Sequence, residues 1–242
     1  MSDRLARRGL FALLAVMALA LVPVTPAAAQ WSGKGQLGVV LSSGNSDAKS
    51  ASFKLGVNNV SGPWTHKANF NSVYASDSAG TTAQRWEAQE QSNYAFDKDN
   101  FVFGGVRYEN DRFSGYDYQA TLSTGLGHLF YRNDVDQLSA QVGAGYKSAR
   151  TRTPSVTESS VAGIASLDYR HVFNASTSLL DKATVEYAPD NTFLQNEVAL
   201  EVRMNTKLAL ALAFQVRHNT SPPSAFQKTD TLTTINVVYE VK

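Results

Sequence analysis

Four histidines, His66, His128, His171 and His218, are the first candidates for chemistry in this chain. Imidazole titrates near neutral pH and is the commonest general base. His66, His128 and His171 fall on apolar strand faces near one set of strand ends, where an interfacial position accounts for them. His218 lies near the opposite end of its strand. Asn196 and Thr231 fall on the same outward band in the two neighbouring strands, which outlines a nucleophile, a base and an orienting amide. No serine takes the nucleophile's place, so a polar cluster at headgroup level is the plainer reading. Glu109, Asp111 and Asp117 surround one loop with the donor type a hard cation prefers, although loop carboxylates are ordinarily just solvated. The chain has no cysteine, which excludes disulfides, thiol nucleophiles and thiolate metal sites. Phosphate loops, dinucleotide fingerprints and zinc motifs are absent. No catalytic, cofactor-binding or metal-ligating set is therefore expected, and no cofactor.

The elements that must carry these residues are strands. Val102, Gly104, Val106 and Tyr108 alternate with Phe103, Gly105, Arg107 and Glu109. A polar connection rich in turn residues follows. Then Tyr118, Ala120, Leu122, Thr124, Leu126, His128 and Phe130 alternate with Gln119, Thr121, Ser123, Gly125 and Gly127. One face of this hairpin is apolar with aromatic ends, and the other is small or charged. The same period of two recurs along the chain, from Trp31–Ser42 through Ala48–Val60, Trp64–Tyr74 and Arg85–Phe96 to the closing Ile235, Val237, Tyr239 and Val241. Helical readings fail because apolar residues do not recur at 3.6. Ser76–Ala83 and Ser148–Glu158 read as loops.

Twelve strands of roughly ten to thirteen residues result, long against the ~5–6 of globular strands and close to the ~9–11 of a tilted transmembrane strand. Connections alternate between short and long, as in outer-membrane barrels. The fold class expected is all-β, an antiparallel transmembrane β-barrel of about 12 strands. Aromatics near strand ends on the apolar face, among them Trp64, Tyr74, Trp86, Tyr94, Tyr108, Tyr146, Tyr187 and Tyr239, match interfacial girdles. Lipid is thus expected outside and a polar lumen inside.

The lumen then carries Lys34, Lys54, Lys67, Arg85, Arg107, Lys147, Arg170, Lys182, Arg203 and Arg217. Facing them are Glu87, Glu109, Asp111, Asp168, Glu186, Glu197, Glu201, Asp230 and Glu240. Such a lumen is either a hydrated pore or one crossed by ion pairs that close it. Glu90 falls mid-strand on the lipid face, which predicts a bulge or a lateral protein contact there.

The 242 residues hold 22 Lys and Arg against 21 Asp and Glu, a net charge of +1 that points to no nucleic-acid partner. Residues 1–29 read as a cleaved signal peptide. Arg4, Arg7 and Arg8 precede the apolar run Leu10–Val22, and Thr25-Pro26-Ala27-Ala28-Ala29 places cleavage before Gln30. The run is shorter than the ~20 residues a spanning helix needs. Residues 30–242 form the barrel domain.

Four stretches carry a family resemblance. They are Leu41-Ser42-Ser43-Gly44-Asn45-Ser46, the run from Tyr108 to Tyr118 (YENDRFSGYDY), Gly143-Ala144-Gly145-Tyr146 and Thr229-Asp230-Thr231-Leu232-Thr233-Thr234. In these the chain resembles the YdiY-like salt-induced outer-membrane proteins, a family of unknown function, over essentially all of residues 30–242. The resemblance implies an outer-membrane location and says nothing about a substrate; outer-membrane lipids and the barrel-insertion machinery are the partners expected. Such barrels usually end on an aromatic residue, whereas Tyr239 is followed here by Glu240, Val241 and Lys242. Two roles follow as expectations. One is a non-enzymatic barrel for envelope maintenance under osmotic stress or narrow passage of small solutes. The other is a lipid-acting hydrolase using His218.

Overall fold

The computed structural model describes residues 30–42, 48–223 and 226–241. The signal-peptide reading of 1–29, the turn Ser43–Ser46 and the family stretch containing it lie outside the described residues. Twelve strands follow in chain order. They are β1 (Gln30–Ser42), β2 (Ala48–Ser61), β3 (Trp64–Asp77), β4 (Gly80–Ala95), β5 (Asn100–Asp111) and β6 (Tyr116–Arg132), then β7 (Asp136–Thr151), β8 (Thr157–Val172), β9 (Thr177–Tyr187), β10 (Thr192–Arg203), β11 (Leu208–Asn219) and β12 (Thr229–Val241). Each pairs antiparallel with its sequence neighbours, and β1 pairs with β12 to close the barrel.

Burial shows which way the alternation points. On β11, Leu210, Leu212 and Phe214 are 42–52% exposed while Ala209, Ala211 and Ala213 are nearly fully buried. A water-soluble barrel would bury the leucines. Here the large apolar residues face outward and small or charged residues face inward, the reverse of the aqueous rule. Rings sit near both strand ends on the outer face. Trp64, Tyr94 and His66 group near the end that carries both chain termini, and Trp86 stacks on Tyr108 near the other.

Several strands run past the sequence expectation. Ser76–Ala83 is not a loop: β3 and β4 continue to a tight turn at Ser78 and Ala79. Asp77 Oδ1 accepts the N–H groups of Ala79 (2.8 Å) and Gly80 (3.2 Å) there, and Gly80 takes φ 135°. Ladder pairing likewise carries β7 to Thr151 and begins β8 at Thr157. Backbone groups pair whatever the side chain is. The apolar alternation that reveals a strand in sequence stops where the apolar band stops.

At the terminal end, four turns share one device. Asp97, Asn133, Asn174 and Asn205 each accept backbone N–H groups from the residues two and three ahead, at 2.7–2.9 Å. These side-chain hydrogen bonds mimic a backbone turn. Asp97 also takes Nδ2 of Asn100, and this bond with the backbone donors holds its carboxyl below the usual value.

Inside, two glycines make room for rings. A Cβ on Gly127 would strike the Phe101 ring, and one on Gly125 would strike Phe103 and the backbone of Val142 and Gly143. Phe101 and Phe103 therefore lie within the lumen, packed on bare backbone.

Candidate functional site: the lumen

The loop-end half of the lumen is filled by one connected charge network. β5 turns Arg107, Glu109 and Asp111 inward at alternate positions, because strand side chains repeat at two. β11 does the same with Gln215 and Arg217. These strands stand on opposite walls, six positions apart in the ring, so a bond between them spans the full bore. Arg217 Nη2 donates to both Glu109 carboxylate oxygens at 2.6 Å, and its Nη1 donates to Asp111 at 3.2 Å. Its Nε donates to Gln195 at 3.2 Å. Arg107 binds Glu87 from β4 at 2.8 Å, Glu186 from β9 at 3.3 Å and Glu109 beside it. Arg85 donates to Gln215 at 2.8 Å, and Thr121 to Glu186 at 3.3 Å. Phe193 lies between the two guanidinium groups, 4.8 Å from Arg107 and 5.0 Å from Arg217.

Burial decides what this network does. Glu109 is 1% exposed and Arg217 3%. Isolated charges at such depth would be costly, yet here each carboxylate meets a guanidinium, and Arg107 and Arg217 each meet two or more acceptors. A buried pair of this kind contributes little net stability as formed, but removing one partner typically costs about 3–5 kcal/mol. The network links opposite walls of the bore in one defined arrangement.

Loops tie off the same end. Asn191 donates to Asn219 at 2.7 Å and accepts the N–H of Ser221 at 3.0 Å. Pro223 and Phe226 lie against Gly115, which takes φ 82°. Beneath the network a cavity of about 100 Å³ is lined by Gln89, Gln91, Gln141, Ser166, Thr184 and Arg107. Gln91 on β4 and Gln141 on β7 bond each other across it at 3.0 Å. Toward the terminal end the pairing loosens. Lys54 meets Glu197 at 2.5 Å and Lys34 meets Glu201 and Glu240, while Lys182 and Asp168 are more than half exposed at 3.7 Å.

The hydrolase constellation is not assembled. Asn196 pairs with Val216, and Val216 with Thr231, whereas His218 stands opposite Leu194 and Thr229. Nδ1 of His218 bonds Thr229 (2.8 Å), and Asn196 donates to Asp181 (2.6 Å). The strand stagger puts the expected base one outward row away from its expected partners. His66, His128 and His171 lie near the terminal end, bonded to Ser92, Asn100 and Asp136 at 2.7–2.8 Å.

At Glu90 the expected bulge is absent, since the register runs unbroken through Ala68, Glu90 and Val106. Its carboxylate instead accepts the Ser92 hydroxyl at 2.6 Å, and Ser92 also meets His66. Serine stands between imidazole and carboxylate here, the wrong order for a nucleophile activated by histidine. The loop carboxylates do not gather for a cation either. Glu109 and Asp111 are bound to Arg217, and Asp117 faces Arg152 at 3.3 Å. Among the described residues no cluster of three or more His, Asp or Glu could hold a metal. Sequence reasoning missed Phe193 inside the network and Asp181 on the outer face. Parity with Gln195 and Glu197 is the signal that places Phe193 inside.

Comparison with solved structures gives the same architecture. The translocator domain of the autotransporter NalP from Neisseria meningitidis superposes with a TM-score of 0.51 at 12% identity, covering 98% of this chain and 97% of its own. The COG4313 outer membrane channel from Pseudomonas putida F1 gives 0.50 at 12%, over 90% and 100% of the two chains. The NanC porin gives 0.51 at 11%, over 87% and 98%. At these identities the likeness is one of fold. In sequence the chain is 27% identical over 179 residues to the uncharacterized protein YdiY of Escherichia coli (strain K12), covering 74% of this chain and 69% of that one. The profile of the family described as "Protein of unknown function, DUF481" matches residues 35–241. The YdiY-like resemblance read from the motifs therefore holds, and the chain belongs to the DUF481 family.

Proposed function

We propose that this protein is an exported, non-enzymatic outer-membrane barrel whose bore is closed at the loop end, with a role in envelope maintenance under salt stress and at most a narrow route for small solutes. Lipid surrounds the outer face, the insertion machinery places the barrel, and the loop end faces outward from the cell. The outward apolar band with rings near both ends supports the membrane placement. One observation carries the closed bore, the bonding of Arg217 on β11 to Glu109 on the opposite wall. The salt-stress role rests on the family resemblance alone.

Planar-bilayer conductance of refolded protein tests the reading. Buried pairs are screened little by salt. The wild type is expected to stay silent, or to give only brief small steps, at every salt concentration tried. Steady, large, ion-selective steps would overturn the closed bore. Phospholipid turnover lost in His218→Ala would overturn the non-enzymatic reading.

A further inference from the structure

The wall itself has a gap. Strands β1 and β2 pair over thirteen rungs and β3 and β4 over fourteen, but β1 and β12 share six, from Gly33↔Val241 to Gly38↔Asn236. Toward the loop end of that last rung, among the described residues Val39–Ser42 pair with β2 and not β12, and Leu232–Ile235 pair with β11 and not β1. Two facing strand edges thus run side by side without a ladder.

A notch opens where the ladder stops, and it spans both faces of the wall. Val39 and Ile235, more than half exposed, line it from outside, and Gly38, Ser52, Val73, Leu232 and Thr234 from the lumen. Among the described residues no charged one lines it. In the lumen wall alongside, Ala211 on β11 and Val238 on β12 are both buried, while Arg85 stands opposite Val73 at the loop-end side. Elsewhere this lumen is dominated by charges and amides.

We propose that the β1–β12 seam is a lateral portal, admitting an acyl chain of the surrounding bilayer between Val39 and Ile235 toward Leu232 and Val73. This rests on the membrane placement proposed above. The occupant follows from width and chemistry. Inserting a further strand, from a second copy for example, would part the edges by another ~4.8 Å on each side. The two edges stand close where the ladder stops, since a Cβ on Gly38 would lie 2.9 Å from the Ile235 carbonyl oxygen. A methylene chain is thinner than a strand, needs no hydrogen bonds and matches the methyl-bearing lining. Unpaired edge groups are unfavourable in hydrocarbon. Here they can take water from the lumen side, where Ser52, Thr234 and Asn236 form a hydrogen-bonded chain. Admission needs the tip of β1 to swing, and only β2 restrains it.

The cysteine-free chain allows a single fluorophore on an introduced cysteine. Labels go at Leu232→Cys, at Leu212→Cys on the outer face and at Thr184→Cys in the lumen away from the seam. Each variant is refolded into phosphatidylcholine vesicles containing nitroxide-labelled acyl chains. Strong quenching at position 212, comparable quenching at 232 and weak quenching at 184 are expected. A Val39→Cys/Ile235→Cys disulfide, formed before position 232 is labelled, should bring quenching there down to the level at 184. Quenching at 232 that only equals that at 184, or that survives the disulfide, overturns the portal while position 212 still reports insertion. Absence of quenching at 212 sinks the membrane placement itself, and the portal with it.

Discussion

The bore and the seam are closed by different means. Across the bore, β5 and β11 are too far apart for backbone bonding, and long charged side chains bridge the distance. At the seam, β1 and β12 are adjacent, yet their ladder stops after Gly38↔Asn236 and nothing charged replaces it. In the bore, closure depends on particular residues, each carrying a buried charge that needs its partner. At the seam the contact depends on register, and the side chains there are uncharged. The bore should therefore be sensitive to single substitutions and the seam tolerant of them.

Arg217→Met is the strongest test of that contrast. It removes the cation bound to Asp111 and leaves Glu109 with Arg107 alone, and should lower stability by about 3–5 kcal/mol in urea unfolding against lipid vesicles. Converting Glu109→Gln in the same chain should recover part of the loss. Next comes Gly125→Val, in neither region, where a side chain would strike the backbone of Val142 and Gly143. Overpacking of this kind costs about 1–3 kcal/mol, read by the same unfolding. Gly38→Ala at the seam should cost less. Its methyl would displace the side chains of Asn236 and Ser52, losing their one hydrogen bond at about 1 kcal/mol, and would press at 2.9 Å on the Ile235 carbonyl oxygen, at an edge that lacks further rungs to hold it. If Gly38→Ala proved as damaging as Arg217→Met, the contrast between the regions would fail.

The smallest effects lie at the rim. Asp97 has its carboxyl pKa depressed by Asn100 and by backbone donors. A depressed folded value means its contribution is present above the unfolded carboxylate value and lost as pH falls through the folded one. Asp97→Asn should therefore flatten a shallow acid-side slope in stability by removing that small contribution at neutral pH, with the two chains converging in acid. His218→Ala, which removes a bond to Thr229 at the loop-end rim, should leave phospholipid turnover at the background of empty vesicles.

Strand number, the closed antiparallel order and the two faces were legible in the sequence, because side-chain parity survives wherever one face is apolar and the other is not. Polar strand tips such as Ser76–Ala83 were not legible, since both faces there are hydrophilic. Parity also placed Glu109 and Arg217 on the lumen side, but it could not show that they meet. That depends on the stagger of the strands around the barrel, which fixes the height of each residue along the axis. The same stagger separated His218 from Asn196 and Thr231. The seam left no trace in the sequence, because β1 and β12 have ordinary alternation and their missing rungs arise only on closure.

The central claim is that opposed charges on β5 and β11 close the bore. The measurement that meets it most directly is single-channel conductance of wild type beside Glu109→Gln/Arg217→Met, in one bilayer and one salt. The account predicts a silent wild type and a variant that opens in steady steps. Equal silence from a correctly inserted variant, or equal steady conductance from both, would contradict it.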